Sequence, residues 1–297
     1  MVKMIMNKKV SKISVITTLY KGNKYIEQLQ KMIEKNAEIL RKQYDIDVEY
    51  ILVNDFPDEN VILFDERPLN YIVRVQNNEV NSGIHVSRIN GIKNSDGELI
   101  FILDQDDKIE KNYLLSQYEN LGDNDVIVCN GYKELDNYNK VIYRDVLKHH
   151  LINKKNIYLL AANQIVSPGQ CLIRKSAIPK EWLENPQYAN GSDDLFLWLL
   201  MLEKGIKFRV NREKLYVHVM TGENLSDDLK KMSLSDKEML DISEKKKLLN
   251  AKDIKKRRRL IKYLNVTKSN DTTRIKKYIT YLLNIDITIL KIYAFYI

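Results

Sequence analysis

Apolar residues along this chain recur with two periods. Short, near-continuous apolar runs predict buried strands: KISVITTLY (Lys12 to Tyr20), VEYILVND (Val48 to Asp55), YIVRV (Tyr71 to Val75) and ELIFIL (Glu98 to Leu103). Longer stretches lie between them. Ile26, Leu29, Met32, Ile33, Ala37 and Leu40 keep helical spacing, with Asn23 as an N-cap. SGIHVSRINGIKNSDG reads as a helix ending near Asn94. Strands alternating with helices predict βαβ units and a mostly parallel sheet covered on both faces.

The order loosens after Asp107. DVIVCN predicts a strand, and SPGQCLIRKSAI a turn into a short strand. DDLFLWLLMLEKG predicts a helix stopped by Gly205, and IKFRV and KLYVHV read as two further strands. From about Asp227 the chain turns lysine-rich and helical. That shift predicts a domain spanning residues 1–226 and a helical, basic C-terminal region over 227–297.

Two carboxylate groups fall where strands end. The second strand closes on Asn54-Asp55, and the fourth on Asp104-Gln105-Asp106-Asp107. In an open α/β sheet, ligands bind beyond the carboxyl ends of the strands. Parallel strands would therefore gather these acids in one crevice. Clustered carboxylates repel unless a cation or protons compensate. Mg²⁺ or Mn²⁺ held by one or two carboxylates and a phosphorylated ligand would do so. The alternative is a plain cap, with Asp106 or Asp107 starting a helix near Ile109.

Composition narrows the partners. The formal net charge is +8, with KKRRR (Lys255 to Arg259) and RIKKY concentrated near the C-terminus. Such a tail suits an anionic partner or a solvated helix face. The last stretch, KKYITYLLNIDITILKIYAFYI, contains Asn284, Asp286 and Lys291, which argues against a membrane-spanning helix. An amphipathic surface there would lie on a membrane beside the basic cluster, or pack on the preceding domain. The two cysteines, Cys129 and Cys171, make no disulfide framework. MVKMIMNKKV lacks an apolar leader core. Both point to a reducing cytoplasm, with peripheral attachment to the inner membrane face as an option.

Six segments, taken in order, resemble a family 2 glycosyltransferase with the GT-A fold: SVITTLY, ILVNDF, NSGIHVSRINGI, FILDQDD, SPGQCLIRK and GSDDLFLWLLMLEKG. The likeness covers residues 11 to 225 and implies a Rossmann-like sheet flanked by helices. It implies inverting transfer of a sugar from a nucleotide-diphosphate donor, with a UDP-sugar favoured. The acceptor would be a hydroxyl of a glycan, lipid-linked glycan or protein. By the same likeness Asp106 would be the main metal ligand, joined by His218. Asp104 would face the donor, and Arg88 its phosphates or the carboxylates. Asp55 would accept a hydrogen bond from the base, while Thr18 and Tyr20 line the nucleotide pocket. Gln170 would contact the donor sugar or acceptor, with Gly169 letting the backbone approach. Asp194 would be the base, with Asp193 beside it. Asn54 and Asp193 replace the more usual Asp and Glu, and Ile89 separates Arg88 from Asn90. His85 falls in the apolar phase of its helix and reads as a core residue.

Three other classes compete. A nucleotidyltransferase would need a glycine-rich basic loop after the first strand, where TTLYKGNKY has one glycine. A nucleic-acid binder would spread basic and aromatic residues over one face, but here the charges lie outside the motif-bearing part, so no nucleic acid is expected. An inactive scaffold would not need intact carboxylates. A homo-oligomer remains open.

Overall fold

The computed structural model describes residues 10–135, 138–144, 146–222 and 228–296. All but Val10 of the N-terminal stretch read above for a leader, and the expected boundary at 226/227, fall outside the described residues.

Four parallel strands form the first half of the sheet. They are β1 (Lys12–Leu19), β2 (Asp47–Asn54), β3 (Ile72–Asn77) and β4 (Leu99–Ile102), with α1 (Asn23–Tyr44) and α2 (Ile84–Lys93) as crossovers. Each strand splits its apolar residues between the two faces, as a period of two requires. Val15, Tyr50, Leu52 and Phe101 join a core under α1. Ile16, Ile51, Val53 and Ile102 join the opposite core. At Gly91 a Cβ would lie 2.5 Å from the Ile16 side chain, so only glycine lets α2 sit this close to β1.

The second half of the sheet is mixed rather than parallel. The strands β5 (Lys108–Ile109), β6 (Val126–Leu135), β7 (Tyr138–Val141), β8 (Cys171–Arg174) and β9 (Phe208–Val219) complete the order β3-β2-β1-β4-β8-β6-β9-β5, with β7 paired to β6. β8 runs antiparallel to both β4 and β6. The residues that precede β8 therefore reach the edge where β1, β2 and β4 end. The two strands expected from IKFRV and KLYVHV are one, β9, carried through Arg212–Lys214 by an irregular register against Asn130 and Gly131.

Helices cover both faces: α3 (Tyr113–Leu121), α4 (Val146–Leu151), α5 (Lys155–Leu160), α6 (Lys180–Glu184) and α7 (Asp193–Glu203). α7 is apolar all round, and every residue from Leu195 to Met201 is buried. Such a helix must be covered on all sides. The C-terminal helices α8 (Leu229–Lys245) and α9 (Ala251–Thr267) help to do this. Met239, Leu240, Ile254 and Leu260 share one core with Ile16 and Trp198. α10 (Arg274–Leu283) and α11 (Ile285–Tyr296) complete the chain, and Ala294 packs with Leu151, Ile157 and Ala161.

The arginines of the KKRRR cluster are all paired within the fold. Arg257 pairs with Asp236 at 2.5 Å and donates to the Tyr158 carbonyl at 2.7 Å. Arg258 reaches Glu244 at 2.7 Å and Asp241 at 3.0 Å, and Arg259 clasps Asp286. These arginines brace helix against helix. Asn23 is likewise not a cap: it is the first helical residue, and its amide holds Glu59 and Asn60 at 2.7 and 2.9 Å.

Candidate active site

The fold brings five pieces of chain to one sheet edge. β1, β2, β4 and β9 deliver Tyr20, Asp55, Asp104–Asp107 and His218 from their carboxyl ends. The antiparallel β8 begins there, so the preceding 3-10 turn Pro168–Gln170 lies on the same edge.

Arg88 is the hub. It is 3% exposed on α2, and it donates to Asp104 at 2.5 Å and to Asp193 at 2.6 Å. Burial would discharge it, but Asp193 and then Asp104 outweigh that and hold it firmly charged. The second oxygen of Asp104 accepts from Ser167 Oγ at 2.9 Å. Asp104 therefore joins the α2, β4 and pre-β8 elements.

The next two acids separate sharply. Asp106 makes no side-chain hydrogen bond to any other described residue and is partly exposed. Burial, then Asp107 and Asp104, push its carboxyl up to about 6. Asp107 is 1% exposed and serves the fold. It accepts from the Tyr216 hydroxyl and from Val219 N at 3.0 Å, and faces His218 Nδ1 at 3.1 Å. The expected helix near Ile109 does not form; Lys108–Ile109 is a strand and α3 begins at Tyr113, so neither Asp106 nor Asp107 is a helix cap.

Asp194 lies at the first turn of α7. Its Oδ2 accepts from Asn163 Nδ2 at 2.8 Å, and its Oδ1 from Leu195 N at 2.6 Å. Burial, then Asp193, raise its carboxyl to about 7, against the opposing pull of Arg88. A carboxylate near that value is suited to take a proton at neutral pH. The loop that delivers this pair is fixed by α8. Ser235 Oγ accepts from Ser192 N at 3.0 Å and donates to the Ala189 carbonyl at 2.6 Å. Glu238 accepts from Ala189 N at 2.7 Å.

On the other flank Tyr20 is 48% exposed and meets Phe56 edge to face, ring centroids 5.3 Å apart. Gln105 locks this loop to the acidic turn by accepting from Tyr20 N at 3.0 Å. Thr18 is half-buried, opposite Val53 in the β1–β2 register.

Three expected contacts land elsewhere. Asp55 spends its oxygens on the adjoining 78–83 loop, accepting from Ser82 N at 2.7 Å, Asn78 at 2.8 Å and Gly83 N at 2.9 Å. Gln170 is fully buried, accepting from Val166 N at 2.7 Å and donating to the Cys129 carbonyl at 2.8 Å. These bonds shape the turn. Gly169 lies against the ring of Tyr216, where a Cβ would be 2.5 Å from it, so the close approach is to the protein itself. His218 has Nδ1 turned to Asp107, leaving only its other nitrogen to offer; the hydrogen bond to Asp107 outweighs burial and holds the ring above its ordinary value. His85 is the core residue expected, 1% exposed against Trp182 and held down to about 4 by burial.

Phe56, Gln105 and Ser167 fall inside the quoted segments without a role expected of them, whereas Asn163 and Ser235 carry no local signal. Nothing in their neighbouring residues shows that long-range folding brings them to this edge. Asn54 is clearer. Its amide donates to the Glu59 carbonyl at 2.8 Å, which an aspartate could not do.

One open carboxylate, Asp106, would suit a divalent cation only alongside ligands from outside the chain. Asp106 has uncommitted oxygens, and a nearby positive charge would relieve its like-charged neighbours. A protein-only cage is not assembled: among the described residues no group of three His, Cys, Asp or Glu side chains gathers to hold a metal.

A model of glycosyl transferase family 2 matches residues 14–182. EpsH, a presumed glycosyltransferase of Bacillus subtilis (strain 168), is 29% identical over 157 residues, covering 50% of this chain and 42% of EpsH. The chain thus spans less than half the length of that relative. The crystal structure of S. aureus TarS 1-349 in complex with UDP-GlcNAc is similar at a TM-score of 0.56 and 15% identity, covering 95% of this chain and 79% of that one. The same TarS fragment in complex with UDP gives 0.51 and 18%, covering 90% and 77%. At such identities the likeness is one of fold, and the fold is GT-A.

Proposed function

The chain belongs to glycosyl transferase family 2, and on that premise we propose that it transfers a sugar from a nucleoside-diphosphate donor, a UDP-sugar by preference, to an acceptor hydroxyl with inversion. The observation that carries this is the division of labour among the carboxylates. Arg88 binds Asp104 and Asp193 together, which leaves Asp106 on one side and Asp194 on the other for different tasks. The UDP and UDP-GlcNAc held by TarS support the donor class.

Asp194 would take the proton of the acceptor hydroxyl as that oxygen attacks the anomeric carbon from the face opposite the diphosphate. The bond from that carbon to the diphosphate oxygen breaks, and the electron pair leaves with the nucleoside diphosphate. Asn163 holds the carboxylate in place throughout. Asp106, aided by the open nitrogen of His218, would hold Mg²⁺ or Mn²⁺, which neutralises charge on the leaving diphosphate. Asp104 and Arg88 set the shape of the donor side. The exposed Tyr20–Phe56 pair, beside Thr18, offers a stacking surface for the base. Asp55 keeps the adjoining 78–83 loop in register. The acceptor would be a glycan, lipid-linked glycan or protein.

Thermal stabilisation by UDP, GDP, CDP and dTDP, each with and without Mn²⁺, tests the reading. One nucleotide stabilising the protein in a metal-dependent way supports it. No shift with any of them in a folded sample removes it.

A further inference from the structure

We propose that the outer face of α10 and α11 docks on an anionic membrane surface. Ile275, Tyr278, Ile279 and Leu282 follow helical spacing down one side of α10, and three of them are more than two-thirds exposed, at 73, 68 and 73% for Ile275, Tyr278 and Leu282. α10 has no buried residue. Across the joint, Ile285, Ile289 and Ile292 of α11 are also exposed, while Ile287 and Ala294 face inward. The two helices thus show a continuous run of large apolar side chains to solvent. Isolated exposed apolar residues are ordinary, but a run of this size marks an interaction surface.

Charge decides the occupant. No acidic residue occurs from Thr272 to Ile285, whereas Arg274, Lys276 and Lys277 flank the apolar stripe. Arg274 and Lys276 are exposed, and none of the three makes an ion pair with a described residue. The arginines of the neighbouring KKRRR cluster are spent on Asp236, Asp241, Glu244 and Asp286, so they are not the attracting group. A second copy presenting this face would bring cations to cations with no acid between them. An anionic bilayer supplies both an apolar layer and the missing negative charge. Tyr278 suits the interface, with an apolar ring and a polar tip. Among the described residues no helix is long and apolar enough to cross a membrane, so attachment would lie in the surface plane.

The docking does not depend on the transferase reading, but it bears on it. α11 packs Ala294 against Ala161, and Asn163, two residues further on, holds Asp194. This packing ties α11 to the stretch of chain that positions Asp194.

The full chain should be sedimented with vesicles of phosphatidylcholine alone and with roughly one-third phosphatidylglycerol. The wild type should partition onto the anionic vesicles only. Ile279→Asp with Leu282→Asp should lower that partition about tenfold or more, with an unchanged melting temperature, because both side chains are exposed. Arg274→Gln with Lys276→Gln should weaken it and flatten its dependence on salt. Failure of the wild type to bind, or equal binding by the aspartate variant, overturns the proposal. So does a dimer in analytical ultracentrifugation that the aspartate variant dissolves while lipid binding is absent; the face would then be a contact between copies.

Discussion

Arg88 and Asp193 meet at 2.6 Å although 105 positions separate them, and the same guanidinium holds Asp104 at 2.5 Å. One buried cation therefore links the turn after β4 to the start of α7. Removing one partner of a buried pair leaves the other charge uncompensated, which costs about 3–5 kcal/mol. Arg88→Ala should lower stability by that order in denaturant titration. Arg88→Lys should recover only part of it, since a lysine cannot span two carboxylates with a planar fork.

Asp106 and Asp107 are adjacent but should respond in opposite ways. Asp106→Asn removes a repelled carboxylate, so the unliganded protein should melt no lower than wild type. Its metal-dependent stabilisation by nucleotide should vanish. Asp107→Ala strips partners from Tyr216, His218 and Val219 N. It should cost about 1–3 kcal/mol before any ligand is added. Differential scanning calorimetry of the two variants checks both statements.

If Asp194 is the base, as proposed, it sets the acid limb of activity. It must be ionised to accept a proton, so the rate of diphosphate release should rise with pH and level off above about 7. The Asn163 hydrogen bond favours the ionised form, so Asn163→Ala should move the limb to higher pH. The effect on stability has the opposite sign from a salt-bridged acid. The folded carboxyl binds its proton more tightly than the unfolded one, so its contribution is present at low pH. That contribution is lost as pH rises from the ordinary aspartate range through about 7. Asp194→Asn should therefore gain melting temperature over wild type at pH 8 and not at pH 4.

Ser235 tests whether the C-terminal helices belong to the site. Its hydroxyl fixes Ser192 and Ala189, just ahead of Asp193 and Asp194. Ser235→Val should reduce kcat while leaving nucleotide affinity unchanged, since the proposed nucleotide side lies on the β1 and β4 loops. A fall in affinity with kcat intact would contradict this.

The βαβ half was legible because β1, β2 and β4 are buried on both faces, and such strands announce themselves as unbroken apolar runs. The second half was not, since β8 and β9 owe their direction to long-range pairing that no local pattern encodes. The acids show the same divide. Their place at one edge follows from strands that end together. Which acid is spent on the fold depends on partners such as Tyr216, Ser167 and Asn163, more than 30 positions away. Gln170 and Asp55 looked available for a ligand because a sequence does not show the backbone groups that claim them.

Isothermal titration of UDP tests the central claim most directly, with and without Mn²⁺, on wild type, Asp106→Asn and Asp194→Asn. Binding should require the metal in wild type, disappear in Asp106→Asn and persist in Asp194→Asn, whose lesion lies in proton transfer. Equal binding by Asp106→Asn, or binding indifferent to metal, would contradict the division of labour assigned to these carboxylates.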